Sequence, residues 1–408
     1  MVQTQFMQQS RPVRSLGATL GAALIAVLAV CAPPPHGVTT AHTASHPTVA
    51  PSVRTYYVAA QEVDWDYAPT GINQIKGKPF DDQAKVFVEP GDTRIGRVYR
   101  KAIFREYTDA TFTNQRRRTA DEVHLGILGP TLRAVVGDTI KIVFRNNTSK
   151  PVSMHPHGVF YDKASEGAPY NDGTSGADKV DDMVPPGGMY TYEWHVPDRA
   201  GPGPEDLSSV VWLYHSHVVS PRATNAGLVG TIVITRPDMA TKDARPTDVD
   251  REFVSLFTIF DENVSHYIDE NLARLKKPVD PEDEDFKESN LMHSINGYVY
   301  GNQPGMVMNK GERVRWYLVG LGTEMDVHTP HWHGQTVLHQ GRRTDAIELM
   351  PASMHVADML TDSTGIWLYH CHVNDHIDAG MLSLYAVGPL EGVDATRIPA
   401  PVSGVTVQ

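Results

Sequence analysis

The eight residues VWLYHSHV at 211–218 return almost letter for letter as IWLYHCHV at 366–373. Each copy is preceded by a His-x-His-Gly element, HPHG at 155–158 and HWHG at 331–334. Each is followed by a small-residue turn, NAGLV at 225–229 and DAGML at 378–382. Three matched elements in the same order mean a duplicated unit, so the fold must be one that can be built twice. Within each unit the segments are short and strand-like, as in TIKIVF (139–144), GTIVIT (230–235) and RVRWYLV (313–319), the last mirroring the first. With 33 Gly and 29 Pro to turn the chain, this predicts two all-β domains of Greek-key character, at 55–240 and 251–392.

The rest of the chain is organised around those units. Its 408 residues, 41% apolar, suffice for two real cores and exclude disorder, and a net charge of −12 argues against a nucleic-acid partner. Arg11 and Arg14 precede an apolar run from Leu16 to Ala32. Residues 1–41 therefore read as a signal peptide, cleaved near Ala41 or Ala44, which implies a secreted or periplasmic protein. A retained membrane anchor or lipoprotein is the alternative, although the run is short for a transmembrane helix. Residues 42–54 are expected to be a flexible lead-in, 238–250 a linker, and Asp280–Glu288 a solvated loop, while the tail after Pro389 shows little pattern. Removing the leader removes Cys31 and leaves Cys371 as a lone thiol, a liability unless something occupies it.

Nineteen histidines are present, and eight fall in the pairs His155/His157, His215/His217, His331/His333 and His370/His372. In a strand, residues i and i+2 point to one side, so each pair can present two imidazoles to one space. A single such pair reads as polar surface. Four pairs at matched places in a duplicated unit do not, and eight imidazoles exceed what one ion needs, so a cluster of metals is implied. The second unit carries more: HTPHWHG begins with His328, and HCHVNDHIDAGM adds Cys371, His376 and Met381. Two His, a thiolate and a weak thioether are the ligand set of a blue-copper electron-transfer centre. A structural zinc would not need Met381 and would not explain the other eight histidines. In the first unit Val152, Ser216 and Leu228 stand in the places of His328, Cys371 and Met381, so only the second unit is expected to hold the mononuclear centre.

These four motifs resemble, in order and spacing, the copper motifs of the multicopper oxidases, over roughly residues 55–390. YYVAAQEVDWDYAP (56–69), FREYTDATF (104–112) and HLGILGPTLRAVVGDTI (124–140) are further similar to ceruloplasmin and the related coagulation-factor A domains. The two-domain build resembles the laccases whose blue copper sits in domain two. The resemblance implies cupredoxin-like Greek-key β-barrels and four coppers per chain. It implies a type 1 copper on His328, Cys371, His376 and Met381, a type 2 copper on His155 and His331, and a type 3 pair on His157, His215, His217, His333, His370 and His372. It implies that a reductant yields electrons singly at type 1, that Cys371 with His370 and His372 passes them on, and that dioxygen leaves as water. It also implies a homotrimer with the copper clusters between chains. One departure matters: many laccases carry an acidic residue two positions after the HCH motif, and here that position is Asn374. Proton supply is then expected from another group, with Asp162 and Asp326 as candidates.

The reductant stays open, between a phenol-type molecule and a metal ion such as Fe(II) or Cu(I). Glu324, Asp326, Asp345, Glu348, Asp375 and Asp378 lie near the type 1 motifs in sequence and suit either. His124, His195, His266, His293, His339 and His355 fit no copper motif and read as structural or surface residues, and Met350, Met354 and Met359 as core packing. Two other classes compete. A copper nitrite reductase would put its blue site in the first domain, where Ser216 stands. A non-catalytic copper-binding module would not need twelve candidate ligands.

Overall fold

The computed structural model describes residues 48–390 and 398–399. The expected leader at 1–41 lies outside the described residues. Among the described residues no helix is long and apolar enough to cross a membrane.

The first half of the chain contributes β1 (Val53–Asp66), β2 (Val98–Tyr107), β3 (Leu132–Val135), β4 (Thr139–Asn147), β5 (His155–Pro156), β6 (Met189–His195), β7 (Ser209–His215) and β8 (Val229–Thr235). The second half contributes β9 (Arg251–Asp261), β10 (Leu291–Ile295), β11 (Val307–Asn309), β12 (Arg313–Gly320), β13 (Pro330–Trp332), β14 (Val337–His339), β15 (Arg342–Thr344), β16 (Met354–Leu360), β17 (Gly365–Cys371) and β18 (Leu382–Gly388). The sheets run β2-β1-β4-β6 and β3-β8-β7-β5 in the first half, β10-β9-β12-β16-β14-β15 and β11-β18-β17-β13 in the second. The repeat seen in the letters is thus a repeat of topology. In both halves the first strand pairs in parallel with the TIKIVF-type strand, and the strand carrying His-x-His lies between the same two neighbours.

Alternation builds each core. On β4, Ile140, Ile142 and Phe144 are buried while the residues between them are half-exposed. They meet Leu132, Tyr214 and Ile232 from the facing sheet. The second core is set the same way, with Phe253, Trp316 and Leu318 against Tyr369, Cys371 and Tyr385. A third apolar cluster spans the seam between halves, packing Val211, Leu213, Val229 and Val233 against Val254, Leu256, Tyr317 and Val319. At about 25 cal/mol per Å² of apolar area removed from water, a continuous cluster of this kind fixes how the halves sit together. A polar lock reinforces it: the buried Lys101 ammonium on β2 meets the buried Glu262 carboxylate, which also accepts from the Tyr67 hydroxyl at 2.5 Å.

Three sequence expectations change here. Of the lead-in, residues 48–54 are held down, not loose. The Ser52 N–H donates to Asp138 Oδ1 at 2.7 Å, and β1 already begins at Val53. The 238–250 linker is anchored as well: Asp248 pairs with the fully buried Arg315 at 3.2 Å, and Ala244 is buried. The acidic run is partly a helix, Glu284–Ser289, capped by the Asp283 side chain and buried through Phe286. One apolar residue on an otherwise charged turn was enough to dock it.

Candidate metal centre

Each His-x-His-Gly element forms a short strand against the His-x-His strand of its own half. His155 lies opposite His215 between β5 and β7, and His331 lies opposite His370 between β13 and β17. The glycine that ends each motif is required by packing. Gly158 and Gly334 have φ +74° and +72°, and a Cβ at either would run into the ring of Trp212 or Trp367. Those tryptophans are the W of the repeated WLYH, so the two motifs of each unit specify one another.

The outcome is two quartets of imidazoles. In the first half, His155 has ring centroids 5.8, 5.7 and 5.1 Å from His157, His215 and His217. In the second, His331 lies 4.9, 5.2 and 5.3 Å from His333, His370 and His372. Among the described residues these ring contacts stay within each half, and none joins one quartet to the other.

The backbone sets the ring protons. A carbonyl only accepts, so a ring nitrogen facing one must donate. His155 Nδ1 donates to Glu166 O at 2.6 Å and His331 Nδ1 to Asp345 O at 2.8 Å. His215 and His370 do the same toward Ser216 O and Cys371 O. Each of these rings therefore turns a bare Nε2 into the quartet. His157 Nε2 approaches His215 Nε2 at 3.2 Å, and His333 Nε2 approaches His370 Nε2 at 3.1 Å. Burial pushes His157 and His370 down to about 4 and His215 to about 3, so all three are neutral at pH 7. Converging neutral lone pairs fit a cation. His331, His333 and His370 meet the geometry of a three-ligand metal group. The second quartet also opens on a cleft of about 550 Å³ walled by Arg343, Asp345, Leu360 and Trp367.

A second three-ligand group is closed. His328, Cys371 and His376 are all buried. His328 Nδ1 and His376 Nδ1 are 3.2 Å apart and lie 3.9 and 3.5 Å from Cys371 Sγ. Met381 is buried in the same core as Cys371, and its backbone bonds to both Cys371 and His376. Burial raises the Cys371 thiol, so a thiolate here needs a cation beside it. The four residues fit a copper of the blue type.

Two of the carboxylate expectations need correcting. Asp326 is buried and faces His328, its Oδ1 3.2 Å from Nε2 while also accepting from Ile259 N at 2.7 Å. It orients His328, and among the described residues it bonds to no histidine of either quartet. Asp162 is exposed and bonds to no histidine among the described residues. The carboxylate that does approach a quartet is Asp345, with Oδ2 3.9 Å from His331 Nδ1. His293, set aside from the sequence, packs its ring 5.2 Å from His376. Only its place on β10 brings it there, and no motif signals it. His124, by contrast, is structural as expected, accepting Val254 N at 3.0 Å across the seam. Of the three methionines, Met359 is core, Met354 packs on the seam cluster, and Met350 is exposed.

Comparison with known proteins agrees with this architecture. Family models described as multicopper oxidase match residues 105–239 and 269–391. The chain belongs to the multicopper oxidase family. It is 44% identical over 345 residues to "Ferroxidase HEPHL1" of Mus musculus, covering 83% of this chain and 30% of that protein. It is 43% identical over 343 residues to hephaestin of Homo sapiens (82% and 29%) and 42% identical over 342 residues to ceruloplasmin of Ovis aries (82% and 32%). The chain thus spans about a third of the length of these relatives. A solved multicopper oxidase shares the fold at TM-score 0.52 and 18% identity, covering 82% of this chain and 89% of its own. A second, multicopper oxidase mgLAC, does so at 0.54 and 16%, covering 86% and 93%.

Proposed function

We propose that this chain is an exported, homotrimeric oxidase that takes electrons singly from a metal ion, Fe(II) foremost, and reduces dioxygen to water. The observation that carries the reading is the pair of separated imidazole quartets beside one closed Cys-His-His-Met group. His328, Cys371, His376 and Met381 would hold a type 1 copper. His155 and His331 would hold type 2, and His157, His215, His217, His333, His370 and His372 the type 3 pair. When bound, copper supplies one-electron acceptance at the buried thiolate and four-electron reduction of dioxygen at the cluster. The chain's own part is positioning. His370 and His372 flank Cys371, so two peptide bonds join the mononuclear group to the quartet. Asp326 orients His328, and backbone carbonyls fix the tautomers of His155, His215, His331 and His370.

Neither quartet has enough imidazoles for the cluster, and among the described residues no ring contact joins the two. A neighbour's first half against this second half would complete the site. Such a head-to-tail interface must close into a ring, and three chains give six barrels. The open cleft at His331 and His333, with Leu360 60% exposed on its wall, supports an interface at that face.

The choice of Fe(II) rests on the relative whose printed name is ferroxidase and on the approach to His376. Asp375 stands exposed in the first turn of the helix Asn374–Asp378, and His293 packs on the same imidazole. A carboxylate oxygen is a hard ligand suited to Fe(II). The test is oxygen uptake by copper-loaded protein with Fe(II), Cu(I) and a methoxyphenol side by side, alongside copper analysis. About four coppers per chain and a preference for Fe(II) are expected. About two coppers per chain would favour the nitrite reductase reading, and no uptake with any donor the non-catalytic one.

A further inference from the structure

The β14–β15 hairpin forms the edge of the six-stranded sheet, and β14 pairs with β16 only through Val337↔Met359 and Leu338↔Asp358. His339, the next residue on β14, therefore falls opposite Ala357, and His355 is its diagonal neighbour on the same face. Their ring centroids are 4.9 Å apart with the planes at 89°. His339 Nδ1 donates to Val356 O at 3.0 Å, which leaves Nε2 with a free lone pair. Among the described residues, neither ring nitrogen of His355 has a hydrogen-bond partner, although the side chain is half-buried. Burial and the neighbouring His339 lower the His355 pKa, and Glu348 acts on it in the opposite sense. Two adjacent imidazoles with open lone pairs make a pair of donors for a first-row divalent ion.

We propose that His339 and His355 bind a divalent cation of borderline softness, Zn(II) or Cu(II), that clips the β14–β15 hairpin onto β16. This site is distinct from the four coppers proposed above. Its consequence would reach them, because the hairpin leads directly into Asp345, whose carbonyl holds the proton of His331 Nδ1. An ion that stills the hairpin therefore stills the support of the second quartet.

The experiment is a Zn(II) titration of the copper-loaded protein, followed by calorimetry and by amide hydrogen exchange. One further Zn(II) per chain is expected, with exchange across 337–344 slowed severalfold. His339→Ala and His355→Ala should each weaken that binding at least tenfold and abolish the slowing, and His355→Gln, which keeps the size, should repeat the loss. His195→Ala should change neither reading. Blue absorption in every variant reports an intact second half. Absence of a further equivalent, equal binding in either His339 or His355 variant, or unchanged exchange in the hairpin would overturn the proposal.

Discussion

The two halves of this chain share a plan down to single hydrogen bonds, yet among the described residues only the second has a closed group of candidate metal ligands. Thr329 N donates to Cys371 Sγ at 3.4 Å, and in the first half Ser153 N donates to Ser216 Oγ at 3.2 Å. Cys371 N bonds Met381 O as Ser216 N bonds Leu228 O, and Met381 N bonds His376 O as Leu228 N bonds Ala223 O. Val152, Ser216, Ala223 and Leu228 therefore occupy the stations of His328, Cys371, His376 and Met381, and all four are buried. Three of them join the first core. The lesson is that the backbone cage is generic to the fold. Four side chains decide whether it carries donors fit for a metal or mostly hydrocarbon, while the imidazole quartet is kept in both halves.

Four experiments press on that comparison. The largest effect is expected from Cys371→Ser, which gives the second half the residue the first already tolerates. Blue absorption and oxygen uptake should fall to background while circular dichroism and the melting transition persist. Wild-type turnover in this variant would show that the two halves differ in some other residue.

The next asks whether the quartets of different chains complete one another. His157→Ala damages the first quartet and His333→Ala the second, and either protein alone should be inactive. In trimers reassembled at equal ratio, mixed rings contain one interface of two undamaged halves, so about a quarter of wild-type oxygen uptake should return. A mixture that stays inactive although light scattering shows mixed trimers would place the cluster within one chain.

The seam between the halves should answer to pH. Burial drives His124 down to about 3 while its Nε2 accepts Val254 N. The unfolded chain takes up this proton near pH 6.5 and the folded chain does not until about 3. Stability is therefore full above about pH 6.5 and is lost as the pH falls toward 3, by up to about 5 kcal/mol from this group. Urea denaturation of copper-free protein from pH 7 to 4 should show the fall, and His124→Gln should flatten it. An equal slope in the variant would remove His124 as its source.

The smallest effect is expected at Asp326. The matching residue of the first half is Lys150, which pairs with Glu270 at 3.4 Å and orients no histidine. Asp326→Asn should lower the affinity of the type 1 copper by about 10–100-fold without affecting copper at the cluster. Copper retention against a chelator, followed by blue absorption, measures it. Unchanged retention would mean that packing alone holds His328.

Much of this was legible in the letters, and the reason is local. Period-two alternation in TIKIVF and RVRWYLV needs nothing beyond the strand to declare itself, and β4 and β12 lie there. A His-x-His spacing puts both rings on one side of any strand, so the quartets followed once the repeat was seen. The Cys-x4-His-x4-Met run closes on itself because the helix Asn374–Asp378 turns His376 and Met381 back toward Cys371. Other features depended on residues distant in sequence. His293 reaches His376 only because β10 lies beside β9 at the end of its sheet. The role of Asp326 needed the bond from Ile259 N to fix its direction. Ala223 could not be matched to His376 by counting from the His-x-His motif, because the first-half helix Ser220–Ala226 is longer than its counterpart. By itself the sequence determined the repeat, the strands and the donor atoms, since these follow from spacing along one backbone. Only the tertiary structure decided which donors face one another and which carboxylate orients which ring, since those depend on contacts between strands far apart in the chain.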